Sequence, residues 1–177
     1  QGFLVTAPAM LVMLLLGKEG ALGTAQSVGA VVAAVLMYFI GRYSRPSHRV
    51  LILGTGLVFF ALAALSNAVL YNQLGVVIFM LFLLLARPLM DLAYFPIQYK
   101  VINSLAEKEK RGEYAYILNH EAGLYAGRLL GAGTFLGLAY LVSAEFALRY
   151  AILTVALVQL SSIWLARSIL NQCGEKA

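Results

Sequence analysis

The sequence predicts an all-α, polytopic membrane protein of six transmembrane helices, and three observations carry that expectation. Of its 177 residues, 62% are hydrophobic and 12% charged, against about half and about a quarter in an ordinary soluble domain. Apolar runs recur from one end to the other, and many reach the length of about 20 helical residues that a bilayer core requires. The charges gather mainly in short segments between those runs.

Residues 3–17 form the first run, short for a span and containing Pro8; Lys18, Glu19 and Gly20 end it. Residues 22–41 are a second, uncharged run, closed by the basic segment Arg42 to Arg49. The third run is 50–71. Asn72 and Gln73 then turn the chain into a fourth, 74–99, which contains Arg87, Pro88, Asp91 and Pro96. Ser104 to Glu113 is expected to be a charged loop leading to a fifth span, 114–142, with Asn119, His120, Glu121 and Arg128 inside it. A sixth span, 146–166, completes a single bundle over 1–171, followed by a polar tail at 172–177. Gln1 and Gly2 open straight into apolar residues with neither an initiator Met nor a basic leader, so the start is expected to be an internal position of a longer protein.

The formal charge is +5, but the basic residues mark topology rather than a surface for nucleic acid. In a six-span count Arg42, Arg45, Arg49, Lys100, Lys108, Lys110, Arg111, Arg167 and Lys176 fall on one side, with Lys18 and Arg149 on the other. Lys and Arg are retained on the cytoplasmic side of short loops, so both ends are expected in the cytoplasm. The single cysteine, Cys173, lies in the tail and offers neither a disulfide nor a metal-ligand spacing.

Polar groups concentrate in the fourth and fifth spans. The third and sixth are nearly free of ionisable residues, apart from Arg149 near one end, where it is expected to snorkel to the headgroups. At about 100° per residue, Arg87, Asp91, Tyr94 and Gln98 share one stripe of the fourth span. Arg87 and Asp91 stand four apart and could pair. Pro88 and Pro96 interrupt the backbone ladder beside them. On the fifth span Tyr114, Glu121, Tyr125 and Arg128 share a face. Gly123, Gly127 and Gly131 form a ladder on much of the other side, expected to admit a neighbouring helix at close range. His120 lies nearer the glycines, and two readings stand for it and for Asn119: protonation or a packing hydrogen bond. In the second span, Ala25, Gly29 and Ala33 repeat the small-residue pattern, while Gln26 either lines a cavity or bonds a neighbouring helix.

Six spans with both ends inside, a basic segment after the second, and charge kept away from the third and sixth resemble half of a major facilitator superfamily transporter. In that family the third and sixth helices of each half face lipid around a central cavity. The loop motif of the family is a Gly followed after three residues by Asp-Arg-x-Gly-Arg-Arg; here Gly41 is followed at that spacing by Arg45-Pro46-Ser47-His48-Arg49. Gly41 and Arg49 match, and Arg45 stands where the acid would be. Glu113-Tyr114, Glu121 and Gly127-Arg128-x-x-Gly131 are similar to the eleventh helix of some bacterial members.

The resemblance implies the carboxy-terminal half of a twelve-helix bundle in a bacterial inner membrane. It would move a small solute by alternating access, coupled to H+ or Na+ and without a cofactor. Its partner would be a missing amino-terminal six-helix half or a second copy. On this reading Arg87, Asp91, Tyr94, Gln98, Glu121, Tyr125 and Arg128 line the solute or ion pathway. The alternative is a non-transporting membrane scaffold or assembly factor on the same bundle. An enzyme is not expected, because the sequence contains no Gly-x-Ser-x-Gly, no His-Glu-x-x-His and no Cys and His cluster.

Overall fold

The computed structural model describes residues 2–17, 19–110 and 112–172, and over these it is helical with no strand. Cys173, Lys176, Lys18, Arg111 and Gln1 lie outside the described residues, as does most of the expected tail. α1 (Gly2–Leu16), α2 (Glu19–Tyr43), α3 (Arg49–Leu70), α4 (Gln73–Glu109) and α5 (Glu113–Leu141) follow one another, with one 3-10 turn at Pro46–His48. The chain ends in α6 (Ala144–Phe146), a π-helical turn (Ala147–Ala151) and α7 (Ile152–Gln172), which run on as one helix. Five helices are long and apolar enough to cross a membrane: α2, α3, α4, α5 and the run 144–170. These make the chain an integral membrane protein. α1, at 15 residues, reaches about 22 Å, short of the roughly 30 Å hydrocarbon core.

The expected loop from Ser104 to Glu113 is corrected by the structure. α4 continues to Glu109, and only 110–112 connect it to α5. Leu105, Ala106, Glu107, Lys108 and Glu109 are strong helix formers once the chain has left hydrocarbon, and Lys108 in the last turn suits the negative end of the macrodipole. The helix stops at Lys110, whose backbone is left-handed (φ 51°) and whose N–H bonds the Ala106 carbonyl. Both prolines lie inside α4, so the Leu84 and Leu92 carbonyls lack their usual helical donors.

The core is centred on α3, which packs between α4 and α7. Phe60, Ala63 and Ala64 meet Val76, Phe79, Ala147 and Ile152 near one end, and Val50, Leu53 and Leu57 meet Ala93, Ile97, Ala166 and Leu170 near the other. The opposite side of α3 carries an exposed apolar stripe through Leu51, Val58, Leu62, Leu65 and Val69. Gly56 sets the closest approach of α3 to α4: a Cβ there would lie 2.9 Å from Met90 Cγ and 3.0 Å from the Met90 backbone nitrogen. Because a backbone atom is involved, a shift of one flexible side chain cannot make room. Gly56→Ala is therefore expected to destabilise by about 1–3 kcal/mol, seen as a lowered thermal midpoint in detergent; an unchanged midpoint would show that the two helices part freely.

The α3–α4 turn is held on both sides. Asn72 caps α4 by accepting the Gly75 N–H at 2.8 Å. Buried Asn67 donates its side-chain amide to the Leu148 carbonyl, 3.1 Å away in the π-helical turn. Arg149, expected to snorkel, instead caps the carboxy end of α3: its Nε donates to the Ala68 carbonyl at 2.5 Å, and its guanidinium lies 5.7 Å from the Tyr71 ring centre and 5.4 Å from that of Tyr150. Unsatisfied helix-end carbonyls attract a cation more specifically than a lipid headgroup does. Burial, then Glu145, hold the Tyr71 hydroxyl above its ordinary pKa of 10.0, with Arg149 opposing. A raised acid favours the folded state below its unfolded pKa and loses that contribution as pH rises past it, so this latch does not switch near neutrality.

Candidate functional site

α4 and α5 run antiparallel, and their polar faces meet where the Tyr94 hydroxyl and His120 Nε2 lie 3.0 Å apart in a hydrogen bond. Nearer the connector, the Tyr116 hydroxyl donates to Glu109 Oε2 at 2.6 Å. The half-buried Tyr94 hydroxyl and His120 Nε2 thereby satisfy each other, so His120 is placed against α4. Among the described residues, no hydrogen bond joins Asn119, exposed beside it, to the same group.

Helix geometry sets the depth of the other groups. At 1.5 Å per residue, Asp91 lies about 4.5 Å and Arg87 about 10 Å along α4 from the Tyr94–His120 contact; Glu121 lies about 1.5 Å and Arg128 about 12 Å along α5 in the same direction. Glu121 lies close enough to the Tyr94 hydroxyl to act on it electrostatically, and Arg87 close enough to the Asp91 carboxylate for their opposite charges to attract. One layer thus holds two acids with Tyr94 and His120, and a second, one to two turns away, holds two arginines. Gln98 extends the α4 stripe toward the connector, half-buried.

α5 touches the rest of the chain in two stretches: Tyr116 and His120 against α4, and Phe135, Leu138 and Ala139, which join the core around α1 and the π-helical turn. Between them, over about 22 Å, the helix stands clear. A Cβ at Gly123, Gly127 or Gly131 would meet nothing within 4 Å. This corrects the expected close packing of the ladder: among the described residues no helix lies against it. Gly127 and Gly131 point within about 20° of His120 on the helical wheel, so they face the side on which α4 lies. Helical spacing thus sets Gly127 and Gly131 across from the Arg87 and Asp91 stripe of α4, and the space between these two faces, beside the Tyr94–His120 bond, is termed the cleft.

Glu121, Tyr125 and Arg128 flank this cleft on an adjacent face and are exposed, Tyr125 by 63%. α2 packs on α4 by one face, and no residue of its spanning window is fully buried. Its Gly29 packs near α4, where a Cβ would meet Leu84 Cδ1 at 3.2 Å; exposed Gln26 lies nearly one turn away, and among the described residues no hydrogen bond joins it to the cluster. Of the loop residues, Gly41 faces Leu92, with 3.8 Å from an added Cβ to Leu92 Cδ1. Arg45 is exposed in the connector and Arg49 half-buried at the start of α3.

Chemically, the cluster presents hydrogen-bond donors and acceptors of the kind a polar solute would need, together with an imidazole and carboxylates, groups that can take up a proton. With neutral His120, one ring nitrogen can accept from the Tyr94 hydroxyl; in the imidazolium both nitrogens donate, so the bond must reverse. Tyr94→Phe removes the shared hydrogen bond while keeping the ring. It is expected to lower stability by about 1 kcal/mol, read as a small fall in the thermal midpoint, whereas a fall as large as that of a core cavity would show that Tyr94 acts mainly by packing.

No protein-family model, curated protein or solved structure matches the chain.

Proposed function

We propose that the chain is the carboxy-terminal half of a secondary active transporter of the major facilitator type. It moves a small solute across a bacterial inner membrane by alternating access, with proton coupling through the Glu121, His120 and Tyr94 group. The observation that carries this reading is the uncovered polar face of α4 and α5 within spanning helices. On insertion scales a charged side chain at the bilayer centre is disfavoured by about 2.5–3.5 kcal/mol. Glu121 and Arg128 directed at lipid would together reach roughly 5–7 kcal/mol, comparable to the lower end of the stability of a typical domain, about 5–15 kcal/mol. These groups therefore face water, a solute or protein.

The open glycine face of α5 and the outer face of α2 are what a second six-helix half, or a second copy, would cover. Solute then binds between the halves near the midplane, and both ends lie in the cytoplasm. The reading is tested with the intact protein in proteoliposomes by recording solute-evoked proton movement over a panel of small organic anions, cations and sugars. A saturable response to one class is expected. Silence across the panel from folded, inserted protein favours the scaffold.

A further inference from the structure

Away from the polar cleft, α3 and α7 part to leave a groove of about 550 Å³, and we propose that it holds one anionic phospholipid. The proposal rests on the membrane reading alone and is independent of transport. The walls are apolar: Leu51, Val58 and Phe59 from α3 and Ile163 from α7. Leu51 is 67% and Val58 49% exposed, and both belong to the outward stripe of α3, so the groove opens on hydrocarbon. The one hydroxyl within the wall, that of Thr55, donates to the Ile52 carbonyl at 2.9 Å and is satisfied by its own helix. Gly54 keeps the floor low; a Cβ there would come no nearer than 3.9 Å to Ile163 Cδ1.

The polar groups lie toward one end. Ser47 and Arg167 line the groove where α3 begins and α7 nears its close. Among the described residues, no acceptor is bonded to the Arg167 guanidinium, nor to those of Arg45 and Arg49 beside Ser47. The first turn of α3 contains no acid, and His48 before it makes no side-chain capping bond. Nothing described on the protein therefore competes for an anion at this end. From Ser47 to Phe59 the groove extends about 18 Å along α3, close to the depth of one leaflet in a hydrocarbon core of about 30 Å. A cationic head above an apolar trough one leaflet deep fits a phosphate headgroup with an acyl chain below it.

Native mass spectrometry of the intact protein, mixed with dioleoyl phosphatidylglycerol or dioleoyl phosphatidylcholine, tests the assignment. The phosphatidylglycerol adduct should survive at higher collision energy. Arg167→Ala should weaken its retention about fivefold, as expected for one basic residue, and Arg167→Lys should restore most of it. Gly54→Leu, which fills the trough while leaving Arg167 intact, should lower retention as well. Equal retention of the two lipids would overturn the proposal, as would an adduct unchanged by both Arg167→Ala and Gly54→Leu. Displacement of the lipid by inorganic phosphate at matching concentration would also overturn it, because it would reduce the site to an anion site without an acyl groove.

Discussion

Gly127→Leu is expected to leave the protein folded and to stop transport. Nothing lies within 4 Å of a Cβ at this position, so the larger side chain meets no described atom at its base. Leucine is also a better helix former than glycine by roughly 0.5–1 kcal/mol, so the thermal midpoint should hold or rise. The isobutyl group would project toward the Arg87 and Asp91 wall, where the proposed transporter would admit solute or the second half. Misplacement of about 1 Å can reduce turnover about a hundredfold, and filling the cleft should do no less. Solute-evoked flux, measured beside the midpoint, separates the outcomes. Lost flux with a retained midpoint is the expected pattern; retained flux would show that the cleft is not on the path.

Neutralising Glu121 or Arg128 is expected to abolish coupled transport without preventing insertion. Both are exposed on α5, so neither is a described core contact whose loss would unfold the bundle. In the proposed transporter these charges would be desolvated where two halves close on a solute, and removing one member of such a set typically costs at least about 2 kcal/mol, or about thirtyfold in a binding equilibrium. Glu121→Gln keeps size and hydrogen bonding while removing the carboxylate next to Tyr94 and His120. It should therefore eliminate solute-evoked proton movement even if solute exchange survives. Arg128→Gln should reduce both. Proton movement and flux unchanged in both variants would remove these residues from the mechanism and leave the cleft without a coupling group.

The sequence exposes some of this architecture because its cause is local. Uninterrupted apolar runs require helices in a bilayer, and those runs are legible one at a time. The stripe of Arg87, Asp91, Tyr94 and Gln98 follows from helical spacing and survives on α4. The length of α4 is less legible, since Glu107 and Lys108 look like loop when hydropathy alone is weighed, although both favour helix outside hydrocarbon. Glycine spacing on α5 is equally visible, but the same spacing serves close packing or an empty wall. Only the position of the other helices distinguishes them. The Tyr94–His120 bond needs the register between two antiparallel helices, which no single segment encodes. Arg149 illustrates the same limit, for a cation near a helix end can reach headgroups or a neighbouring helix terminus, and the Ala68 carbonyl lies 81 residues away in sequence.

The most direct measurement of the central claim is water access to the cleft. Cys173 is the single cysteine of this chain, so Gly127→Cys in a Cys173→Ser background, with every cysteine of an amino-terminal half also replaced, gives one reporter thiol in the membrane-spanning part. Intact membranes would be treated with a membrane-impermeant maleimide, with Val58→Cys in the same background as the lipid-facing reference. The account predicts labelling at position 127 from one side of the membrane, protection by transported solute, and no labelling at position 58. A position 127 that stays as unreactive as position 58, in folded protein and from both sides, would contradict it.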